Sequence, residues 1–225
     1  MIFDYFDGAY YINLESRPDR REAFERRSQE VGLTVERFSA IQPPEMVFGR
    51  PVDIRERAKL GCTLSHFGVY ELAQQRQQTT VLVFEDDCTF VDGFAQKMVV
   101  YIEELCIQQD WDLLYLGGSP EPDYGVPGRK CERISPHLIY NPGWIWGAHA
   151  YAIHSRFIPK ILATNRYQNY PADINLSGYS SGLRRYLMTD ELLTFQDDDS
   201  PSDLWGGVIP RTQIFLDNYK KYMSV

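Results

Sequence analysis

Apolar positions along this chain fall into short β-branched or aromatic runs that alternate with segments of three-to-four spacing. Residues 81–84 (VLVF) are an uninterrupted apolar run, the pattern of a strand buried on both faces. Residues 9–14 (AYYINL), 34–38, 111–116 (WDLLYL), 137–140 and 148–154 read as further strands. Between the first two, Ser16 and Pro18 open a helix that Gly32 is suited to stop, because proline is tolerated in a first helical turn. Leu60, Leu64 and Phe67 recur at helical spacing and predict a helix over 57–77. Asp92 is placed to cap a third helix whose Met98, Ile102 and Leu105 face a core, and a fourth spans 155–164.

The intervening stretches are irregular. Residues 42–57 carry three prolines and mixed charge and read as a loop; 119–135, rich in Pro and Gly, read as an excursion. The strand–helix alternation predicts one α/β domain over 1–225, a mostly parallel sheet with helices on both faces. The chain shows no internal repeat, low-complexity block or linker.

Composition narrows the function more than the fold. Lys and Arg number 23 against 31 Asp and Glu, a net charge of -8, which argues against a nucleic-acid binder, since phosphate contacts need clustered basic residues. Aromatics make up 14%, including 15 Tyr and 4 Trp, enough to line a groove that stacks on rings. The cysteines, Cys62, Cys88, Cys106 and Cys131, lack C-x-x-C spacing and read as buried free thiols. With neither a signal-peptide pattern nor a run of ~18 apolar residues, the expectation is a cytoplasmic protein without a transmembrane segment. Peripheral association with the inner face of a membrane is compatible with that.

Candidate chemistry gathers where strands end. In open parallel sheets ligands bind beyond the carboxyl ends of the strands. There the run 81–84 delivers Glu85, Asp86 and Asp87, and the first strand delivers Asn13, Arg17 and Arg20. In an extended backbone Glu85 and Asp87 point the same way, and two oxygen ligands on one side suit Mg²⁺ or Mn²⁺. A nearby arginine is suited to meet phosphates bidentately. The plain alternative is a solvated acidic turn, with the arginines of the first helix as a solvated face.

Taken together, the motifs resemble glycosyltransferase family 25, the group of lipooligosaccharide-type galactosyltransferases that includes relatives of the collagen galactosyltransferases. The stretches that carry the resemblance are YYINLESRPDRR, RFSAIQP, LGCTLSHFGVY, VLVFEDD, WDLLYLGG, WGAHAYAIHS, YPADINL and FQDDDSPSDL, in the family's order and over nearly the whole chain. The resemblance implies a GT-A-like glycosyltransferase fold, a UDP-linked hexose donor, and inversion at the anomeric carbon. The acceptor would be a surface glycan, glycolipid or glycoprotein. The acidic triplet is similar to a DxD motif, which would place Asp87, with Glu85 or Asp86, on Mn²⁺ or Mg²⁺ at the donor's diphosphate.

The same resemblance assigns donor contacts to Asn13, Leu14, Arg17 and Arg20, and to the Ser65–His66 pair. It assigns others to Gly147 and His149, and it has Gln196, Ser202 and Asp203 close the donor site. For Ser65, His66 and His149 the alternative is an internal cap or a satisfied core histidine. Asp173 is the first choice for the base that deprotonates the acceptor, with Asp190 second; a helix cap is the alternative for Asp173. Trp144 and Trp146 are candidates for an acceptor platform or for sheet packing, and Asp197 to Asp199 read as a solvated loop. Two other classes stay open: a metal-dependent phosphohydrolase or nucleotidyltransferase, and a catalytically silent nucleotide-sugar-binding scaffold.

Overall fold

The computed structural model describes residues 2–47, 50–122, 128, 130–165, 171–177, 186–199 and 210–222. Strand β1 (Gly8–Asn13) leads through α1 (Pro18–Glu30) to β2 (Glu36–Ser39). A hairpin of β3 (Met46–Val47) and β4 (Arg50–Pro51) precedes the long α2 (Ile54–Gln75). Then come β5 (Thr80–Glu85), β6 (Cys88–Phe90), α3 (Phe94–Ile107), β7 (Leu113–Tyr115) and β8 (Ser119–Glu121). They are followed by β9 (Glu132–Arg133), β10 (Leu138–Tyr140), β11 (Trp144–Trp146), β12 (Ala150–His154) and α4 (Ile158–Asn165). Last are α5 (Ala172–Ser177), β13 (Tyr186–Thr189), β14 (Thr194–Gln196) and α6 (Arg211–Tyr222).

Among the described residues, eight strands form the central sheet in the order β2-β1-β5-β12-β7-β13-β10-β9. Six run one way; β12 and β10 run against them. The architecture is therefore α/β with a mostly parallel sheet, as the strand–helix alternation predicts. The strand period of two explains how both faces are covered. Tyr10, Val81, Val83 and Tyr151 project to the side where α2, α4, α5 and α6 pack. Tyr11, Leu82, Phe84 and Ala152 project to the side of α1 and α3. Residues 81–84 are each no more than 1% exposed, so this run is the two-sided buried strand its composition predicts.

Several local expectations change. Asp92 does not cap α3; Gly93, with φ +71°, holds that position without a side-chain bond. Helix α2 starts earlier than its apolar spacing implies, because the Asp53 carboxylate accepts the Glu56 N–H at 2.8 Å and caps it. The 42–57 stretch thus holds the β3–β4 hairpin and the first helical turn rather than a plain loop. Residues 119–121 are not irregular but pair as β8 with β11. All four cysteines are free, but only Cys88 and Cys131 are buried; Cys62 is half-buried and Cys106 exposed. No helix among the described residues is long and apolar enough to cross a membrane.

Candidate active site

The carboxyl ends of β1 and β5 lie side by side, with Ile12 opposite Glu85. Alternation along β5 then separates neighbouring acids. Glu85 continues the row of Val81 and Val83 towards α2, whereas Asp86 continues the row of Leu82 and Phe84 towards α1, where Asn13 follows Tyr11 in β1.

Asp86 is spoken for. Its carboxylate accepts Asn13 Nδ2 at 2.7 Å and Arg20 Nη1 at 3.1 Å, with the Arg20 and Asp86 side chains 10% and 9% exposed. Asn13 also donates to the Arg17 carbonyl at 3.1 Å and accepts Arg37 Nε at 2.9 Å. Burial pushes the Asp86 carboxyl up, against the pull of Arg20 and Asn13. Asn13, Arg20 and Asp86 thus brace the loop after β1, and Arg20 and Asp86 also line the cleft. Arg17 starts α1 and pairs with Asp19 at 2.8 Å, while Leu14 lines the cleft directly.

On the other side, Glu85 Oε1 lies 3.3 Å from His66 Nε2, and His66 Nδ1 lies 2.7 Å from the Tyr151 hydroxyl. Burial raises the Glu85 carboxyl, but the His66 contact and charge outweigh it and leave the group below its ordinary value. Asp87 has no comparable partner among the described residues. Its Oδ2 accepts Gln196 Nε2 at a long 3.3 Å, and its buried Oδ1 has no hydrogen-bond partner among them. Burial first, then repulsion from Glu85, pushes Asp87 up to about 7. Two close acids in a low-dielectric site cannot both ionise freely without a cation.

These acids line a cleft of 1030 Å³ that also takes in Leu14, Arg17, Arg20, Ser65, His66, Gly147, Asp173 and Gln196. Ser65 Oγ donates to the Gly61 carbonyl at 2.6 Å and accepts the Ile41 N–H at 2.8 Å, so it fastens the wall formed by 41–43 to α2. A side chain at Gly61 would meet the Ile41 carbonyl at 2.7 Å, which is why that wall comes so close. Gly147 adopts φ +94° and donates its N–H to Asp173 Oδ2 at 3.2 Å. Asp173 Oδ1 accepts the Ile174 N–H at 2.8 Å. Burial raises Asp173, against those backbone bonds.

Other predicted residues lie elsewhere. His149 is fully buried behind the cleft wall, stacked on Phe215, its Nε2 3.4 Å from the Thr194 carbonyl. Burial holds it down to about 4, so it is a neutral core histidine at neutral pH. Asp190 is not at the cleft; it accepts the Tyr101 hydroxyl at 2.7 Å and pairs with Arg133 at 3.5 Å. Trp146 lines the cleft and packs against Trp144, ring centroids 5.3 Å apart. Ser202 and Asp203 fall outside the described residues. Of the acids after Gln196, Asp199 is exposed, but Asp197 pairs with Arg27 at 2.9 Å and Asp198 accepts the Arg211 and Thr212 N–H groups that open α6. Arg27 is accordingly a brace rather than part of a solvated face.

Sequence reasoning missed Arg57, Lys59, Cys62, Arg211 and Phe215, all on the cleft wall. Cys62 had a signal. It shares one helical face with Ile54, Ala58, Gly61 and Ser65, a face of mostly small residues. Arg211 and Phe215 had none, since their nearness depends on where α6 returns.

The sequence profile of glycosyltransferase family 25 (LPS biosynthesis protein) matches residues 56–176, more than half of the chain. The chain belongs to glycosyltransferase family 25. This family 25 chain is 25% identical over 224 residues to a glycosyltransferase 25 family member of Drosophila melanogaster, covering 92% of itself and 33% of that protein. It is 29% identical over 164 residues to procollagen galactosyltransferase 1-A of Xenopus laevis, covering 62% of itself and 26% of that protein. To the human inactive glycosyltransferase 25 family member 3 it is 28% identical over 218 residues, covering 88% of itself and 33% of that protein. The chain spans about a third or less of the length of these curated relatives. Among solved structures, a glycosyltransferase involved in glycosylation of the major capsid of PBCV-1 superposes at a TM-score of 0.45, with 10% identity over 97% of this chain and 100% of that one.

Proposed function

We propose that this family 25 chain transfers a hexose, galactose favoured, from a UDP-sugar to a glycan, glycolipid or glycoprotein acceptor, with inversion and with the help of Mn²⁺ or Mg²⁺. The observation that carries this reading is Asp87: a buried carboxylate with an unpartnered oxygen, beside Glu85, in a cleft at the carboxyl ends of parallel strands. The residues fit such an ion. Oxygen donors suit a hard cation, and a positive charge would relieve both the orphaned oxygen and the repulsion between the two acids. When bound, the cation supplies neutralisation of the charge that develops on the departing diphosphate.

The chain's own groups divide the rest. Glu85 and Asp87 hold the ion, with Gln196 steadying Asp87. Arg17, Arg20, Lys59 and Arg211 bring basic side chains to the cleft that suit phosphate, Arg17 also pairing with Asp19 and Arg20 with Asp86. Asp173 takes the proton of the acceptor hydroxyl. Its upward shift through burial suits a base, and the Gly147 N–H holds it in place. Trp146 offers a face on which a sugar ring can stack.

A nucleotide-sugar-binding scaffold without turnover is the second reading, favoured because both Asp173 oxygens already accept backbone N–H groups. Calorimetric titration with UDP-galactose, UDP-glucose and UDP, each with Mn²⁺ and with chelator, tests the donor. Cation-dependent binding of one UDP-sugar supports the proposal; absence of binding under both conditions sinks it. Asp173→Asn separates the two readings. It should keep donor binding and lower the transfer rate by roughly 10²–10⁴-fold. Transfer at the wild-type rate would remove Asp173 as the base, and no transfer by the wild type to any acceptor class would leave the scaffold.

A further inference from the structure

Cys62 and His66 stand one turn apart on the cleft face of α2, and Glu85 reaches them from the end of β5. Their ligand atoms, Cys62 Sγ, His66 Nε2 and a Glu85 carboxylate oxygen, all lie within 4.8 Å of one another. Glu85 Oε1 is 3.3 Å from Nε2 and 3.8 Å from Sγ. Zinc bonds of ~2.0–2.3 Å arranged as a tetrahedron set neighbouring ligand atoms roughly 3.3–3.8 Å apart. Both Glu85 separations fall within that spacing, and the Cys62 and His66 ligand atoms lie within 4.8 Å of each other.

The second observation concerns His66. Its Nδ1 is engaged by the buried Tyr151 hydroxyl at 2.7 Å, and Tyr151 is in turn hydrogen-bonded to Tyr70. That contact fixes the imidazole and leaves Nε2 as the nitrogen directed at Glu85, the outer arrangement typical of a metal-bound histidine. The set is sulfur, nitrogen and oxygen, and a thiolate with an imidazole selects zinc-like ions over Mg²⁺ or Mn²⁺. Cys62, His66 and Glu85 also all line the cleft, so a fourth position faces it and is open to water or a ligand.

We propose that Cys62, His66 and Glu85 form a binding site for a thiophilic divalent cation, Zn²⁺ foremost, that shares only Glu85 with the oxygen pair assigned to the donor's ion. The site stands on its own geometry and does not require the donor reading to hold. The test uses the whole chain, titrated with Zn²⁺ by calorimetry and with Co²⁺ by absorbance, in the wild type and in Cys62→Ser, His66→Gln and Asp87→Asn. Circular dichroism melts establish that each variant is folded.

The wild type should bind Zn²⁺ and give a Co²⁺ spectrum with tetrahedral bands and a thiolate-to-cobalt charge-transfer band. Cys62→Ser should lose that band and weaken Zn²⁺ at least about 10-fold, and His66→Gln should weaken it similarly. Asp87→Asn should leave both unchanged while removing the cation dependence of UDP-sugar binding, so the two readings can fail separately. Unchanged Zn²⁺ affinity in Cys62→Ser overturns the site. So does a charge-transfer band that survives that substitution, which would place the ion on another cysteine. Loss of Zn²⁺ binding in Asp87→Asn alone overturns it too, by placing the ion on the carboxylate pair.

Discussion

Two neighbouring carboxylates at the end of β5 have opposite fates. Asp86, on the α1 side, is enclosed by Arg20 and Asn13; Asp87, on the cleft side, is as deeply buried yet keeps an oxygen without a partner. Burial raises both groups, but only Asp87 is pushed as far as about 7. A carboxylate with its charge already compensated is part of the scaffold. One whose burial is not compensated keeps a capacity to bind, because a ligand supplies what the fold withholds. The acidic triplet is therefore not a uniform cluster but a brace beside a binding group.

The sharpest way to break this comparison is at Asp87. Asp87→Asn should abolish Mn²⁺-dependent UDP-sugar affinity without unfolding the chain, since it removes a buried charge that has no ion pair among the described residues. Unchanged Mn²⁺-dependent affinity by calorimetry would end the distinction. On the braced side the loss should be of stability. Arg20→Ala leaves Asp86 buried with Asn13 as its remaining neutral partner and should cost about 3–5 kcal/mol in urea denaturation. A cost under ~1 kcal/mol would mean that Asp86 is as uncompensated as Asp87.

Behind the cleft wall, His149 gives a smaller effect that depends on pH. Burial depresses it from 6.5 to about 4, so between those values the unfolded chain binds the proton that the folded chain refuses. Wild-type stability should fall as pH drops through that window, by roughly 3 kcal/mol from this group, and be unaffected by it above. His149→Gln should flatten that part of the pH–stability curve; an unchanged slope would mean that the imidazole is protonated in place. The smallest effect is expected at Asp190, outside both regions. Asp190→Asn should leave donor affinity and transfer rate as they are, and a large fall in either would return it to the chemistry.

Much of this was legible along the chain. The run VLVF followed by EDD predicted a two-sided buried strand that ends in acids, and β5 is that strand. The divergence of Glu85 and Asp86 in the structure follows from the same strand alternation. The same rule gave Glu85 and Asp87 a common direction from extended backbone, but β5 ends at Glu85 and a turn follows, so their shared cleft arises from the turn instead. Ser65 shows the other limit. A serine beside a histidine on a helix has the same letters whether or not its hydroxyl ties down residue 41, as it does here.

Local pattern sets the alternation of strand and helix, the two-faced core and the arrival of acids at a strand end. Those follow from periods of two and 3.6 residues and from the length of apolar runs, all local properties. Which acid is paired depends on how distant segments meet. Arg20 meets Asp86 from 66 residues away, Gln196 meets Asp87 from 109, and β12 enters between β5 and β7 against their direction. Charge compensation falls off over a few ångströms of space, and separation in space between distant segments is set by sheet order and helix return, which no local pattern encodes.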